Sequence, residues 1–235
     1  MSAGVLDVIV DAAEPAVLAR FWSQMLERQT GRSGQDDADI PLAASGRLVF
    51  SRLSTGEKPV KNRLHPDLAT TSRSDQDALV QRALDLGAAL IDVGQVDAPW
   101  VVLADPEGNE FCVLEPRDQY LGIGRLAAVV IDALNPIAQA QFWSRATGLP
   151  VAREHELYAS LRQDGGFWVE FIRVGDAKRH PNRVHFDLAV DEDVPAAVDR
   201  LNSAGAKPVS GWHGDGPMLA DPEGNEFCVR RRTAP

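Results

Sequence analysis

A histidine and an aspartate two residues apart occur twice in the chain, as His65–Asp67 and as His185–Asp187. Alternate residues of a β-strand point to the same face, so each pair places an imidazole beside a carboxylate. The carboxylate can orient the imidazole as a general base or raise its pKa, which predicts acid–base chemistry by His185 and Asp187. The alternative, which the recurrence of the pair favours, is a satisfied polar network with Glu110 that only locks neighbouring strands together.

Glu170 is a carboxylate within an otherwise apolar segment that runs from Trp168 to Ile172. Burying a carboxylate is costly unless it has a partner. Glu170 is therefore predicted to act as an acid or base, to bind a metal ion, or to pair with Arg173 or Arg183. The alternative is an exposed glutamate on an edge strand.

Glu170 and His185 are expected to line a cavity in the C-terminal part of the chain, and further side chains are expected around it. Aromatic rings suit a flat ligand, and His213 lies in a glycine-rich segment that is typical of a loop at a cavity mouth. A cysteine with no adjoining basic group is more typical of a small buried residue than of a nucleophile. The predicted ligand-binding set consists of Trp168, Trp212, His213, Tyr158 and Cys228.

Two long motifs that occur twice show that the chain contains an internal duplication. Ala104–Val113 is repeated without change as Ala220–Val229, and Asn62–Ala69 is repeated with substitutions as Asn182–Ala189. Both motifs recur after about 120 residues, a period too long for a solenoid and typical of tandem globular domains. We therefore predict one domain over residues 1–117 and a second over residues 125–232.

Within each copy, the hydrophobic pattern predicts two similar halves, each with the order βαβββ. The segment from Val5 to Val10 is typical of a strand, and Pro15 and Pro136 stand where a helix begins. A sheet that carries helices on one face leaves its other face free. Two such sheets would curve around a cavity, so we predict an α+β fold with curved mixed sheets around a small-molecule site.

The strand that bears the histidine and the Asp-Pro-Glu-Gly-Asn-Glu-Phe-Cys ending resemble the vicinal oxygen chelate superfamily. That superfamily includes glyoxalase I, bleomycin-resistance proteins and extradiol dioxygenases, and the chain looks most like the glyoxalase-like domains of actinobacteria. The resemblance implies tandem glyoxalase-like domains, each a pair of βαβββ modules. It rests on Lys61–Leu68 and Ala104–Cys112, and on Asn182–Leu188 and Ala220–Cys228 in the second copy.

The resemblance also implies where a metal ion would bind, because metal-dependent members take their ligands from the first and last strands of each half. Carried over by position, the second copy offers Leu126, Glu170, His185 and Cys228, and the first offers Val5, Val49, His65 and Cys112. The first copy has too few donors for a tight site. We therefore expect either no cofactor or a single Zn-like divalent metal in the C-terminal domain, held by Glu170 and His185.

The composition restricts the partners. The chain has 24 Lys+Arg against 34 Asp+Glu, a net charge of −10, whereas binding to phosphates needs concentrated positive charge. We expect no nucleic-acid partner. No apolar run approaches the ~20 residues that span a bilayer, and two cysteines suit a reduced compartment, so we expect no membrane partner and a cytoplasmic location.

The sequence therefore predicts a glyoxalase-like protein that acts on a small organic molecule. The first hypothesis is an enzyme of the lyase or isomerase type, in which Glu170, His185 and Asp187 transfer protons in the C-terminal cavity. The alternative is a resistance-type protein that binds an aromatic metabolite without turnover. Tandem domains can form within one chain the pair that single-domain relatives form from two, so the chain is expected to be a monomer or a homodimer.

Overall fold

The computed structural model describes residues 4–42, 46–52, 60–95, 97–162, 165–210 and 216–232. In the first copy the elements are β1 (Val5–Asp11), α1 (Pro15–Leu26), β2 (Asp37–Pro41), β3 (Arg47–Ser51), β4 (Leu64–Leu68), α2 (Arg73–Asp85), β5 (Ala89–Leu90), β6 (Val101–Ala104) and β7 (Glu110–Val113). A short 3-10 helix, Asp118–Tyr120, then leads to the second copy.

The second copy repeats the order of the first. Its elements are β8 (Leu126–Ala133), α3 (Pro136–Thr147), β9 (Val151–His155), β10 (Tyr158–Arg162), β11 (Trp168–Arg173), β12 (Val184–Val190), α4 (Val194–Ser203), β13 (Lys207–Pro208), β14 (Met218–Ala220) and β15 (Glu226–Arg231). The βαβββ order predicted for each half is present in three of the halves. In the described part of the first half, an isolated bridge between Ser33 and Ala38 takes the place of a further strand.

Each of the two sheets combines one half of the first copy with one half of the second. The seven-stranded sheet has the order β13-β14-β15-β12-β1-β3-β2, and the eight-stranded sheet has the order β5-β6-β7-β4-β8-β11-β10-β9. The copies meet where β1 pairs antiparallel with β12, and where β4 pairs antiparallel with β8. The predicted α+β class with curved mixed sheets is confirmed, but the two halves of one copy lie in different sheets.

The helices bury aromatic side chains at helical spacing, and these side chains connect the two halves of each copy. Trp22 of α1 and Trp143 of α3 are each 2% exposed. Trp22 packs edge-to-face on Phe111 with ring centroids 5.1 Å apart, and Trp143 packs on Phe227 at 4.9 Å. Such pairs add about 0.5–1.5 kcal/mol beyond the burial of their area. Both tryptophans are therefore core residues.

The repeated Asp-Pro-Glu-Gly-Asn motif forms a turn and also a contact between halves. In the first copy, Asp105 accepts hydrogen bonds from the backbone N–H groups of Glu107 at 3.0 Å and Asn109 at 2.9 Å, while Gly108 has φ 83°. The other carboxylate oxygen of Asp105 accepts from the indole N–H of Trp22 at 3.1 Å. In the second copy, Asp221 and Trp143 make the same contact at 3.2 Å.

The glutamate of this motif satisfies the start of a helix in the other half. The Glu107 carboxylate accepts from the backbone N–H groups of Ala13 at 2.8 Å and Glu14 at 2.9 Å, just before α1. Helix starts leave N–H groups without partners inside the helix, so a carboxylate there is stabilising. The motif that carries the family resemblance most strongly is therefore structural.

Among the described residues, no helix has the length and apolar character that crossing a membrane requires.

Candidate functional site

A cavity of about 430 Å³ lies over the eight-stranded sheet, and both copies contribute to it. Cavities of this size hold small organic ligands. The first copy supplies β4, β6 and β7 with their loops, and the second supplies β8 and β11. The lining side chains that bear on its chemistry are Lys61, His65, Asp67, Trp100, Glu110, Cys112, Arg117, Asp132 and Glu170.

The first copy places an imidazole, a carboxylate and a thiol together on the cavity floor. His65 and Asp67 lie on β4, and Cys112 on β7 is directly beside Asp67 in the parallel pairing. The Nε2 atom of His65 is 3.5 Å from Oδ1 of Asp67. Neither the Nδ1 atom of His65 nor Oδ1 of Asp67 has a hydrogen-bond partner among the described residues. Both atoms are themselves buried, so this part of the floor contains polar atoms whose hydrogen-bonding capacity the described residues do not satisfy.

Burial dominates the ionisation of these groups. It lowers the pKa of His65 to about 3, assisted by the positive charge of Lys61, so the imidazole is neutral at pH 7. Burial, followed by the negative charge of Glu170, raises the pKa of Asp67 to about 7. It also raises the pKa of the Cys112 thiol well above its usual range, so Cys112 is a neutral thiol rather than a nucleophile.

The second copy contributes Glu170 from β11, held by a tyrosine from the segment between the copies. The Tyr120 hydroxyl donates a hydrogen bond to Oε1 of Glu170 at 3.0 Å. Tyr120 is 4% exposed and packs edge-to-face against Trp168 at 6.4 Å, so its position is fixed. Burial raises the pKa of Glu170, although the Tyr120 hydrogen bond and the charges of Arg117 and Arg153 oppose this.

One wall and part of the mouth are formed by groups whose charges are already paired. The Arg117 guanidinium lies 5.6 Å from the centroid of the Trp100 ring, and it donates to both carboxylate oxygens of Glu115, at 2.7 and 3.2 Å. The ammonium group of Lys61 is 2.6 Å from Oδ2 of Asp132. The cation–π contact and the bidentate pair hold Trp100 and Arg117 in place as a flat wall.

In the seven-stranded sheet, the equivalent region contains ion pairs. Asp187 lies opposite Asp7 across β12 and β1, as Asp67 lies opposite Ala128 across β4 and β8. Asp7 is 1% exposed and pairs with Arg47 at 3.1 Å and also with Arg230. Arg230 also lies 3.9 Å from Asp187. The protein supplies its own cations here.

A family model described as a glyoxalase-like domain matches residues 7–114 and again residues 128–230. The chain belongs to the glyoxalase-like domain family. This confirms the resemblance to the vicinal oxygen chelate superfamily and the presence of two tandem domains. No curated protein matches the chain in sequence.

Solved structures with the same fold cover almost the whole glyoxalase-like chain. Glyoxalase I from Zea mays is 13% identical, with a TM-score of 0.63 over 97% of this chain and 91% of its own. A putative dioxygenase from Bacillus subtilis is 10% identical, with a TM-score of 0.60 over 97% of this chain and 84% of its own. At these identities the likeness establishes the fold alone.

The prediction that Glu170 and His185 share a C-terminal cavity is wrong. Glu170 lies on β11 of the eight-stranded sheet, and His185 lies on β12 of the seven-stranded sheet. They cannot form one catalytic or metal-binding pair, because each sheet takes one half from each copy. Glu170 is instead brought to the same cavity as His65 and Asp67 of the first copy.

His185 and Asp187 form a separate cluster in the seven-stranded sheet. His185 is 3% exposed, and its Nε2 is 3.9 Å from Oδ1 of Asp187. Burial lowers the pKa of His185 to about 4 and raises the pKa of Asp187. Cys228 lies on β15, beside Asp187 of β12, and it is buried, as expected for a small core residue. Of the predicted catalytic residues, Glu170 alone lines the cavity over the eight-stranded sheet.

The other predicted ligand-binding residues lie outside the cavity lining or outside the described residues. Trp168 is 3% exposed, with the guanidinium groups of Arg153 and Arg162 each 4.9 Å from its ring centroid. It supports Tyr120 from behind rather than facing a ligand. Tyr158 is 41% exposed near the sheet edge and stacks on His155 at 5.1 Å. The predictions for Trp212 and His213 concern positions outside the described residues.

Two residues that the sequence did not single out matter at the cavity: Arg117 lines it, and Tyr120 holds Glu170. Tyr120 and Arg117 lie at the junction of the two predicted domains, where Gly122 and Gly124 have positive φ of 78° and 89°. An aromatic residue amid these polar and glycine residues was the available signal. Tyr120 is buried, which a simple linker would not require.

The donor sets available to a metal ion also differ from the predicted Glu170–His185 pair. One ligand atom from each of His65, Asp67 and Cys112 lies within 4.8 Å of the others, and the same holds for His185, Asp187 and Cys228. Imidazole, carboxylate and thiolate are ligand types that Zn²⁺ accepts, and the unpaired polar atoms on His65 and Asp67 fit an ion. The second set is less suitable, because Arg230 already brings a positive charge to Asp187.

Proposed function

We propose that this protein acts on a small organic molecule in the cavity over the eight-stranded sheet, as an enzyme of the lyase or isomerase type that transfers a proton through Glu170. The observation that carries the proposal is the Glu170 carboxylate, which Tyr120 fixes at the cavity surface by a hydrogen bond of 3.0 Å. His65 and Asp67 line the same cavity, and each has a buried polar atom without a hydrogen-bond partner among the described residues.

Glu170 is suited to transfer protons near neutral pH. Burial raises its pKa, which brings the carboxyl group closer to the pH at which a general acid or base works best. Tyr120 occupies Oε1 and leaves Oε2 for the ligand. A C–H group next to a carbonyl in the bound molecule can then lose its proton to Glu170 and regain it at a neighbouring atom, which is the pattern of an isomerase.

The His65 side chain acts in this scheme as a neutral hydrogen-bonding group. With its pKa lowered to about 3, the imidazole can accept or donate a hydrogen bond without bringing a charge. Asp67 lies beside it and can bind a polar group of the ligand. Together they orient the molecule so that its reactive C–H group points to Glu170.

A single divalent ion such as Zn²⁺ would be held by His65, Asp67 and Cys112. When bound, it would supply a Lewis acid that polarises a carbonyl group and so acidifies the adjacent C–H. Metal analysis of the purified protein and of His65→Ala tests this, since a stoichiometric ion lost in the variant would establish the site.

Hydrogen–deuterium exchange into a panel of small carbonyl compounds tests the catalytic proposal. The compounds are incubated with the protein in D₂O, and deuterium incorporation is followed by NMR. The wild type should catalyse incorporation into at least one compound, and Glu170→Gln should lower the rate by about 10²–10⁴-fold. The matched control is Glu154→Gln on the exposed strand β9. Equal rates in Glu170→Gln and the wild type would refute the assignment.

The alternative is a protein that binds an aromatic molecule without turnover. The flat wall that Trp100 forms with Arg117 favours this reading, because aromatic rings stack well on such a surface. Binding that is weakened by Trp100→Ala, in a protein that catalyses no exchange, would support it.

A further inference from the structure

The two sheets differ in how they neutralise an aspartate at equivalent positions. Asp187 of the seven-stranded sheet and Asp67 of the eight-stranded sheet each lie next to a cysteine in the parallel pairing, Cys228 and Cys112. Arg230, two residues after Cys228, brings its guanidinium to within 3.9 Å of Asp187. The residue two positions after Cys112 is Leu114, which has no charge.

The eight-stranded sheet therefore keeps the aspartate, Asp67, but has Leu114 at the position where the other sheet has Arg230. Asp67 is 7% exposed, and its Oδ1 atom has no hydrogen-bond partner among the described residues. A second carboxylate is added to the cavity, because the position of Val49 in β3 is taken by Glu170 in β11. Both carboxyl groups line the cavity.

Two of the three cations that line the cavity are engaged with other acids. Arg117 is bidentate to Glu115 at 2.7 and 3.2 Å, and Lys61 is 2.6 Å from Asp132. The lining as a whole contains five acids and three bases, which favours a cationic ligand: Asp67, Glu110, Asp132, Glu170 and Asp176 against Lys61, Arg117 and Arg173.

We propose that the ligand of this cavity carries a protonated amine, amidine or guanidinium group that binds between Asp67 and Glu170, in the role that Arg230 has in the other sheet. The apolar or planar body of the ligand then rests against Trp100. The inference builds on the proposed function, since it names the class of molecule on which the same cavity acts.

The cation also has a consequence for the chemistry. It pairs with Asp67, which has no charged partner among the described hydrogen bonds, and it lies beside Glu170. A positive group next to a C–H bond stabilises the negative charge that develops when Glu170 removes the proton. The ligand would bring the charge stabilisation that the floor itself lacks.

Matched sets of ligands that differ only in charge test this inference. Benzylamine, benzamidine and phenylguanidine are compared with the neutral benzyl alcohol, benzamide and phenylurea and with the anion benzoate. Binding is measured by calorimetry at pH 7.5 in the presence of a chelator, with ligands up to about 5 mM, since fragments of this size typically bind in the millimolar range. At least one cation should bind at least tenfold more tightly than its neutral partner.

Variants assign the binding to the two carboxylates. Asp67→Asn and Glu170→Gln should each weaken the binding of the cation about tenfold or more, and Glu154→Gln should not. Leu114→Arg installs the guanidinium that Arg230 provides in the other sheet, so it should abolish cation binding, while Leu114→Met should retain it. Circular dichroism verifies that each variant is folded. If Leu114→Arg does not fold, Asp67→Asn and Glu170→Gln decide the question alone.

The outcomes separate this inference from the proposed function. Neutral or anionic compounds that bind the cavity better than the cations, with a loss in Glu170→Gln, would overturn the charge class and leave the small-molecule site. Cation binding that survives both Asp67→Asn and Glu170→Gln would overturn the inference as well. If no compound of any charge binds and none undergoes exchange, the proposed function fails together with the inference.

Discussion

Removing the Asp7 carboxylate should strongly destabilise the protein, because it leaves two arginines without their shared partner. Asp7 is 1% exposed, and Oδ1 accepts from the backbone N–H of Arg47 at 2.8 Å. Oδ2 is 3.1 Å from the guanidinium of Arg47 and also pairs with Arg230. Breaking a buried pair from one side typically costs about 3–5 kcal/mol.

The expected cost of Asp7→Ala lies below that range. The side chains of Arg47 and Arg230 are 33% and 25% exposed, so water can partly solvate them. Each also keeps a weaker acid contact, Arg47 with Asp39 at 3.3 Å and Arg230 with Asp187 at 3.9 Å. We expect the free energy of unfolding to fall by about 2–3 kcal/mol.

The other sheet supplies the compensating substitutions. At the equivalent positions it has Ala128, Trp168 and Leu114 in place of Asp7, Arg47 and Arg230. The triple variant Asp7→Ala, Arg47→Trp, Arg230→Leu should therefore recover most of the stability lost by Asp7→Ala alone, to within about 1 kcal/mol of the wild type, because an apolar cluster often replaces an ion cluster at little cost.

Urea denaturation with linear extrapolation measures these differences. The control is Asp37→Ala, which removes an exposed pair with Arg32 at 3.4 Å and should cost at most about 0.5 kcal/mol. If Asp7→Ala costs no more than this control, the ion pairs do not hold the seven-stranded sheet together, and the reasoning is refuted.

Three further predictions concern single residues. Burial raises the pKa of Asp11 from 3.8 to about 6, because the folded state disfavours the ionised carboxylate. The free energy of unfolding is therefore highest below pH 3.8, where Asp11 is protonated, and it falls as the pH rises through 6. Asp11→Asn should therefore be about 1–2 kcal/mol more stable than the wild type at pH 8, a value reduced for the partial exposure of the side chain, and equal to it at pH 3.5. A difference in urea denaturation that does not change with pH would contradict this. Glu107→Gln should lower the free energy of unfolding by about 1–2 kcal/mol, because the Glu107 carboxylate accepts hydrogen bonds from two backbone N–H groups before α1 and pairs with Arg183 at 3.3 Å. An unchanged midpoint of thermal denaturation would argue against this. Glu27 ends α1 in the left-handed conformation with φ 54°, where the second copy has Gly148. Since this conformation disfavours residues with a side chain, Glu27→Gly should be more stable than Glu27→Ala by about 0.5–1 kcal/mol. The reverse order of stability in denaturant would contradict backbone strain at this position.

The elements were largely predictable because their signals are local. Pro15 and Pro136 begin helices as expected, and Gly148 ends α3 in the left-handed conformation. The repeated motifs fixed the two copies, since identical segments must adopt similar structures. Alternation along β12 also placed His185 and Asp187 on one face, within 3.9 Å of each other.

The pairing of the halves could not be read from the same signals. A strand such as β1 carries no local mark that selects β12 rather than β4 as its neighbour, because both have the same histidine–aspartate pattern and similar apolar faces. The choice depends on packing between elements that are far apart in sequence. For this reason Glu170 was assigned to the wrong histidine, although its functional importance was anticipated from its apolar flanks.

The pKa of Asp67 tests most directly the central claim that Glu170 and Asp67 share one site built by both copies. The carboxyl carbon of Asp67 can be titrated by NMR in the wild type, in Glu170→Gln and in Asp187→Asn. The claim predicts a pKa of about 7 in the wild type, a lower value in Glu170→Gln, where a neighbouring negative charge is removed, and no change in Asp187→Asn. A pKa of Asp67 that is unchanged in Glu170→Gln, or that changes in Asp187→Asn, would contradict the account.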